Sequence, residues 1–375
     1  MRQSHKPTGP ALERAYEQMA RMRAVEEAQI RLWDDGLVPG ELHTGIGEEG
    51  IVAGVLLNLS DTDSLALDHR PTPALVGRGV DIEGLLLEIM GHEDGINHGQ
   101  GGHMHLFARE QRAAGDGMVA SSGPTACGFA LAARHLHPGS VAVAFFGEAA
   151  TNEGYMMEAF NIASAWKLPV LFVCKNNSWS ITTHSREVTG GKLIDRARSF
   201  GLATAKVDGQ RVDEVQATAG RLITRMRNGK GPAFMLASCH RPQGHFTTDI
   251  LVRVVRDPRA GASELAPGLL AAVRAPGGSR GDRVAGLMTL TRRLGALAVD
   301  QARGGRDPLA SARRRIGGQA AARIELRVEG EVAPAERSAR LRMAGAPAAP
   351  ALPAAPVMPE AARASKPAMK SGGAR

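Results

Sequence analysis

Short apolar runs alternate with longer stretches of helical periodicity through the first two thirds of the chain. Residues 11–36 place apolar side chains at helical spacing and end at Asp34-Asp35-Gly36, which predicts a helix. Apolar runs typical of buried parallel strands occupy 141–146, 169–174, 203–207 and 233–238. Helical patterns flank and separate them at 123–136, 151–167 and 212–228. This order predicts an α/β fold in three layers, with a parallel sheet covered by helices on both faces.

The stretch 92–117 interrupts the alternation. It is rich in Gly, His and polar residues and has no apolar period, so we expect a long loop, and loops of this length usually carry function. One alternative is a zinc cluster made by the histidines of this stretch, His92, His98, His103 and His105. No Cys or carboxylate stands at ligand spacing beside them, which favours a polar loop. A dinucleotide site is disfavoured because no Gly-x-Gly-x-x-Gly follows a strand and opens a helix.

The composition changes after residue 256. Residues 257–305 form a basic segment rich in Arg, Ala, Gly and Pro, with helices expected at 265–275 and 283–302. Residues 306–344 have a charged helical pattern that is broken near Gly317-Gly318. Ala, Pro and Lys dominate residues 345–375, which we expect to be disordered because they offer too little apolar surface to offset the entropy of ordering.

The positive charge of the chain lies away from the predicted sheet. The net charge is +8, but residues 1–252 carry 24 basic and 28 acidic residues. Aromatic residues make up only 4% of the chain, so a stacking platform for single-stranded nucleic acid has little to work with. We therefore expect no nucleic-acid partner, and interpret the basic C-terminal part as a feature of solubility or of a peripheral protein contact.

The remaining composition is typical of a globular protein of the cytoplasm. Hydrophobic residues make up 43% of the chain, and no apolar stretch approaches the roughly 20 residues that cross a membrane. The N-terminus has no apolar segment behind its basic residues, so we expect neither a secretory signal nor a membrane partner. The three cysteines, Cys127, Cys174 and Cys239, have no metal or disulfide spacing. We expect them to pack in the core within a reducing compartment.

Two polar motifs come directly after neighbouring predicted strands. Gly147-Glu148 follows the first of these strands, and Asn176-Asn177 follows the second. The carboxyl ends of parallel strands share one crevice, so a carboxylate and an amide oxygen should meet there. With a backbone carbonyl from the adjoining turn they would form part of an octahedral Mg²⁺ site, completed by phosphates and water. The alternative is structural, with Glu148 capping a helix and Asn177 occupying a turn.

Five motifs in the same order resemble the α subunit of thiamine-diphosphate-dependent 2-oxo acid dehydrogenases, the pyruvate, branched-chain and acetoin enzymes. They are Gly45-Ile-Gly-Glu-Glu49, Asp68-His-Arg70, Gly99-Gln-Gly-Gly-His-Met-His-Leu-Phe107, Gly147-Glu148-Ala149 with Asn176-Asn177, and Gly244-His245. The segment 160–169 between the two halves of the fourth motif is also similar. The resemblance covers residues 11–256 and, more loosely, 306–342. It implies the thiamine-diphosphate-binding fold, with 1–256 as the core, 257–305 as an insertion and 306–344 as a helical C-terminal part of that core.

The resemblance assigns roles to individual residues around Mg²⁺ and the cofactor. Three groups would ligate Mg²⁺, namely Glu148, Asn177 and the carbonyl of Trp179. Arg70 would hold the diphosphate, with His69 beside it, and Lys175 could add charge at the phosphates. Other cofactor contacts would come from the backbone, at Gly117 and Val119 for the aminopyrimidine ring and at Gly147, Ala149 and Ala150 beside Glu148. His245 would be the catalytic histidine, on a loop that covers the cofactor and stabilises the bound oxo acid.

The same resemblance implies a reaction and its partners. A small 2-oxo acid, with pyruvate favoured, would be decarboxylated through thiamine diphosphate, and a lipoyl group would then be reductively acylated. In the family a β subunit supplies the glutamate that activates the aminopyrimidine, so this chain would form half of an active site. The expected partners are that β subunit, in an α2β2 assembly, and a lipoylated dihydrolipoyl acyltransferase.

Four positions depart from the pattern of the family. Glu148 replaces a commoner Asp, Ala149 replaces Gly, Thr72 stands where pyruvate-type members carry His, and Phe246 stands where many members carry Ser. Glutamate at position 148 is known from the branched-chain enzymes, whereas 99–107 and 166–169 favour pyruvate or acetoin. An acetoin or branched-chain subunit therefore stays open, as does a degenerate subunit that binds without turnover.

Overall fold

The computed structural model describes residues 9–249, 252, 254–255, 263, 267–271, 279–302 and 307–345. The described residues contain these strands: β1 Ser64–Leu67, β2 Phe107–Ala108, β3 Ala113–Gly115, β4 Ala142–Gly147, β5 Val170–Asn176, β6 Trp179–Ser180, β7 Thr183–His184, β8 Ala203–Asp208 and β9 Ala233–Ser238. Seven of them form one sheet in the order β2-β3-β1-β4-β5-β9-β8, and β6 and β7 pair as a separate hairpin. Within the large sheet only the β2–β3 pair is antiparallel. The predicted α/β class with a mostly parallel sheet is confirmed.

The helices of the first two thirds of the chain are α1 Gly9–Asp34, α2 Glu49–Leu56, α3 Thr72–Gly77, α4 Ile82–Ile89, α5 Ser122–Leu136, α6 Gly154–Ala165, α7 Ser185–Val188, α8 Leu193–Ser199 and α9 Val212–Arg227. Towards the C-terminus lie α10 Arg280–Ala302, α11 Pro308–Ile316 and α12 Gly318–Gly345. A 3₁₀ segment, Glu148–Asn152, joins β4 to the residues before α6. No helix in the described part of the chain is both long and apolar enough to cross a bilayer.

Successive residues of the central strands enter two different apolar clusters. Val143 and Phe145 of β4 belong to a cluster that also contains residues of α1, α2, α9 and α12. Ala144 and Phe146 belong to the other cluster, which contains residues of α5 and α6. This alternation is why β4 and β5 appear in the sequence as continuous apolar runs: both faces of each strand are buried.

The helices expected at 283–302 and within 306–344 are confirmed, whereas only residues 267–271 of the helix expected at 265–275 are described, and these are helical. The break near 317–318 is the turn between α11 and α12, where Gly317 has a φ of +87° that favours glycine. Helix α12 buries a stripe at helical spacing, Ala321, Ile324, Val328 and Val332, within the cluster that contains α1. The predicted disordered tail, apart from Gly345 at the end of α12, lies outside the described residues.

Three predictions of local structure were wrong or incomplete. The stretch 92–117 is not all loop, because β2 and β3 lie within it and extend the sheet past β1. The helix predicted over 151–167 starts later, since 148–152 is a 3₁₀ segment and Glu153 is extended before α6. Strand β1 was missed because its four residues are too few to show a period.

Candidate cofactor site at the carboxyl ends of the central strands

The polar motifs predicted from the sequence meet at one edge of the sheet. Gly147, at the end of β4, pairs with Lys175 in the parallel register of β4 and β5. Each strand is followed by its polar residue, so Glu148 and Asn177 are brought together. The Asn177 N–H donates to Glu148 Oε2 at 3.3 Å. The crevice expected from strand order is therefore present.

The carboxylate of Glu148 is buried, with 1% of its surface exposed. Ser185 Oγ donates to Glu148 Oε1 at 2.5 Å, so both carboxylate oxygens accept a hydrogen bond. Burial raises the pKa of Glu148 above its usual range. A divalent cation would compensate this buried charge. Ser185 lies 37 residues away along the chain and carried no sequence signal as a partner of Glu148.

The residues after β5 form a tight turn into the β6–β7 hairpin. Asn177 Oδ1 accepts from the Trp179 N–H at 2.9 Å, and Ser178 adopts a φ of +67°, in the left-handed region that non-glycine residues rarely enter. Trp179 pairs with His184 across the hairpin. The turn thus fixes Asn177 and the backbone of Trp179 next to Glu148. The candidate metal ligands are therefore the Glu148 carboxylate, the Asn177 side-chain oxygen and the Trp179 carbonyl. All are oxygen atoms, which Mg²⁺ prefers.

Arg70 is a buried positive charge, and no Asp or Glu side chain of the described residues forms a salt bridge with its guanidinium. Its guanidinium donates to the carbonyls of Thr44 at 2.6 Å and of His245 at 2.7 Å, and its Nε has no hydrogen-bond partner there. Burial, and then the nearby charge of Arg241, lower the pKa of Arg70 to about 9. A buried cation is stabilised by a nearby anion, so a diphosphate fits this position.

Lys175, which was expected to add charge at the phosphates, is paired with two carboxylates of the protein. Its Nζ lies 2.6 Å from Glu48 Oε2 and 3.1 Å from Asp68 Oδ2, and it is buried. Burial lowers the pKa of Lys175, but Asp68 and Glu48 outweigh it and the net pKa is raised. The lysine charge is therefore balanced by two carboxylates of the protein. It fixes the Glu48 and Asp68 segments to β5, which differs from the expectation that it adds charge at the phosphates.

Four histidines lie close together beside Arg70. The ring centroids of His43 lie 5.1 Å from His69 and 5.0 Å from His245, and His43 Nδ1 lies 3.0 Å from His103 Nε2. Burial and then the charge of Arg70 lower the pKa of each ring, to about 3 for His43 and about 4 for His103. The rings are therefore neutral at pH 7. His43 was missed by sequence reasoning, although it precedes the motif at 45–49 by two residues.

The histidine cluster differs from the zinc alternative considered for the loop. Ring nitrogens of His43, His69 and His245 lie within 4.8 Å of one another, whereas only His103 of the four loop histidines reaches this group. The Arg70 guanidinium lies 3.3 Å from His245 Nδ1. A positive charge so close disfavours a metal cation at the histidines.

The Gly-rich loop is held by a buried carboxylate that the sequence did not reveal. Glu88 accepts hydrogen bonds from the backbone N–H groups of Asn97, Gly99 and Gly101, at 2.7, 2.8 and 2.6 Å. Gly99 has a φ of +70°, and a Cβ there would lie 2.5 Å from the carbonyl carbon of Gly91. The glycine at 99 is therefore required by the close approach of two backbone segments.

The remaining predicted residues lie around this crevice at different depths. Gly147, Ala149 and Ala150 adjoin Glu148 at the 3₁₀ segment, and Ala150 is buried. Gly117 lies against His105, because a Cβ on it would be 3.1 Å from His105 Nε2. Val119, just before α5, is 52% exposed and open to a ligand or a partner subunit.

Two departures from the family pattern have structural partners. Thr72 Oγ1 accepts from Gln29 Nε2 at 3.1 Å in the core. Phe246 packs edge-on against His43 and His245, with ring centroids 5.9 and 5.5 Å apart. Phe246 therefore fills space beside the catalytic candidate.

Comparison with known proteins covers the part of the chain that builds this site. Residues 17–253 match the family model of the dehydrogenase E1 component. The alpha subunit of acetoin:2,6-dichlorophenolindophenol oxidoreductase from Bacillus subtilis is 34% identical over 246 residues, which are 65% of this chain and 74% of the relative. The pyruvate dehydrogenase E1 component subunit alpha of Rhizobium meliloti is 33% identical over 238 residues, 63% of this chain and 68% of the relative. The corresponding acetoin:2,6-dichlorophenolindophenol oxidoreductase alpha subunit from Cupriavidus necator is 36% identical over 234 residues, which are 61% of this chain and 70% of the relative.

Proposed function

The chain belongs to the dehydrogenase E1 component family and is an α subunit of a 2-oxo acid dehydrogenase, which is an oxidoreductase. From that premise we propose the following activity. The chain binds Mg²⁺ and thiamine diphosphate. With a β subunit, in an α2β2 assembly, it decarboxylates a 2-oxo acid and reductively acylates the lipoyl group of a dihydrolipoyl acyltransferase.

One observation carries this proposal. Two oxygen ligands and a buried guanidinium, whose Nε has no hydrogen-bond partner among the described residues, all lie after strands that end at one edge of the sheet. Glu148 and Asn177 supply the oxygens, and Arg70 follows β1, which neighbours β4. A divalent cation would neutralise the buried carboxylate, and a diphosphate would neutralise the buried guanidinium. A metal–diphosphate ligand satisfies both at once.

The roles of the remaining residues follow from the family assignment and from their surroundings. The Trp179 carbonyl is the third protein ligand of the metal. His69 flanks the diphosphate, and the backbone of Gly147, Ala149 and Ala150 lines it. Gly117 and Val119 hold the aminopyrimidine ring from one side. Lys175 acts at a distance, by holding Glu48 and Asp68 against β5.

The bound thiamine diphosphate supplies the carbanion and the electron sink, and the protein positions its substrate. His245 is neutral at pH 7 because burial, and then Arg70, lower its pKa. Its Nδ1 lies 3.3 Å from Arg70 Nη2, which can only donate, so Nδ1 is the acceptor. The ring proton then resides on Nε2, from which His245 donates a hydrogen bond to an oxygen of the bound oxo acid.

Pyruvate is the substrate we propose, with acetoin as the second candidate. Phe246 occupies space next to His43 and His245, which leaves less room for a branched side chain. Relatives named for acetoin and for pyruvate are similarly identical to this chain, and they keep the acetoin alternative open.

We propose a domain organisation to match. Residues 1–256 and 306–344 form one thiamine-diphosphate-binding core in three layers, supported by the two apolar clusters that share β4 and β5. Residues 257–305 form an insertion outside the match to the family.

The test is reconstitution. The full chain is mixed with a β subunit of the same family from the same organism, and thiamine-diphosphate binding and oxo-acid decarboxylation are measured with and without Mg²⁺. We expect Mg²⁺-dependent binding, turnover only when both subunits are present, and faster turnover of pyruvate than of branched-chain acids. Full activity of the isolated chain would contradict the half-site proposal. Binding without any turnover in the reconstituted enzyme would identify a degenerate subunit.

A further inference from the structure

Helix α10, in the insertion, packs on the site although it lies outside the family match. Leu290, Leu294 and Ala296 of α10 join an apolar cluster with Trp179 and Val252. Trp179 belongs to the metal loop, which we define as residues 177–188. Leu290 and Leu294 are four residues apart and thus lie on one face of the helix. The helix therefore contacts the loop that carries two of the metal-ligand candidates, Asn177 and Trp179.

The same cluster reaches the loop that carries the catalytic histidine, which we define as the His245 loop, residues 240–249. Asp249 accepts from the N–H of His245 at 3.0 Å and from the N–H of Val252 at 3.4 Å. A Cβ on Gly244 would lie 2.7 Å from Val252 Cγ2. Val252 is thus packed directly beneath the residue that precedes His245, and it shares its cluster with Trp179.

The metal loop has a conformation that needs support. Ser178 and Ile181 both have positive φ, at +67° and +54°, although neither is glycine. Such residues persist only where the surrounding structure holds them. Trp179, between them, is buried, and a salt bridge of 3.6 Å between Arg293 of α10 and Glu187 ties the far end of the loop to the helix.

We propose that helix α10 positions the metal loop and the His245 loop relative to each other, so that Leu294 and Val252 are positioning residues for Mg²⁺ binding. The inference rests on the proposed function. Neither side chain is among the proposed metal or cofactor contacts; both act through Trp179, with which they share an apolar cluster. The insertion is therefore part of the site's architecture, and it makes metal affinity depend on a helix outside the family match.

The experiment is a Mg²⁺ titration, followed by calorimetry, of the full chain reconstituted with its β subunit at saturating thiamine diphosphate. Leu294→Ala and Val252→Ala should each raise the half-saturating Mg²⁺ concentration about five- to tenfold, because the shortened side chain leaves Trp179 less well packed. Leu287→Ala is the matched control, since Leu287 lies on the same helix and is 54% exposed. It should leave the titration unchanged.

Two further measurements separate positioning from a general loss of stability. Leu294→Met conserves volume and should restore most of the Mg²⁺ affinity. The double variant Leu294→Ala/Val252→Ala should lose less than the product of the single losses, because the two side chains share one cluster. Thermal unfolding of each variant shows whether the fold is intact.

The outcomes are distinct. Wild-type Mg²⁺ affinity in Leu294→Ala, or an equal loss in Leu287→Ala, would overturn this inference and leave the proposed function standing. A wild-type chain that binds no Mg²⁺–thiamine diphosphate even when reconstituted with the β subunit would overturn the proposed function and this inference with it.

Discussion

Removal of the Glu148 carboxylate is the sharpest test of the metal site. Glu148→Ala takes away the single charged ligand among the proposed donors. Mutations of groups that only orient a metal ligand typically cost about 10- to 100-fold in affinity. Loss of a direct, charged ligand should therefore weaken Mg²⁺-dependent cofactor binding by more than about a hundredfold, or about 2.8 kcal/mol.

The fold itself should tolerate this change, because two effects oppose each other. Burial of the carboxylate is unfavourable without a cation, as the raised pKa of Glu148 indicates, and the substitution relieves it. Alanine leaves Ser185 Oγ and the Asn177 N–H without their acceptor, which costs about 1–3 kcal/mol for each group that water does not reach. We expect a net loss of stability of no more than about 2 kcal/mol.

Glu148→Gln separates charge from shape. The amide retains one acceptor oxygen and nearly the same volume, so the urea midpoint should stay close to that of the wild type while cofactor binding is still lost. Glu153→Ala is the matched control, since Glu153 lies five residues further on and its side chain caps no helix. Calorimetric titration of thiamine diphosphate with Mg²⁺ measures binding. An unchanged affinity in both Glu148 variants would refute the metal assignment.

Two further predictions concern buried charges near the site. Burial, and then Glu49, raise the pKa of Glu26 to about 8, above the roughly 4.3 of a carboxyl in an unfolded chain. Between about pH 4.3 and about 8, Glu26 is protonated in the folded state but ionised in the unfolded chain. The free energy of unfolding should therefore fall as the pH rises from about 4.3 through about 8. Glu26→Gln should flatten that dependence; urea midpoints that fall equally in wild type and variant would contradict this. Inorganic diphosphate should raise the melting temperature of the wild type but not of Arg70→Met, since binding to the folded state alone stabilises it. Arg134→Met is the control, because Arg134 also donates to backbone carbonyls but lies on the surface. A diphosphate shift preserved in Arg70→Met would show that the anion binds elsewhere.

The sequence by itself determined where the polar motifs stand along the sheet. A strand buried on both faces must be apolar throughout, so β4 and β5 are visible as runs, and the residues after them are visible as motifs. Parallel pairing then requires Glu148 and Asn177 to meet, and they do. Local order along the chain was sufficient for this part of the site.

Tertiary structure alone decided which side chains support those motifs. Ser185 reaches Glu148, Glu88 holds the loop at 97–101, and the charge of Lys175 is balanced by Glu48 and Asp68. Helix α10 also joins Trp179 to Val252. These partners are separated along the chain by loops and helices of variable length, and a buried charge or polar atom is satisfied by whichever group packing brings within reach. No periodicity in the sequence records that choice, because it depends on three-dimensional packing and not on the spacing of residues.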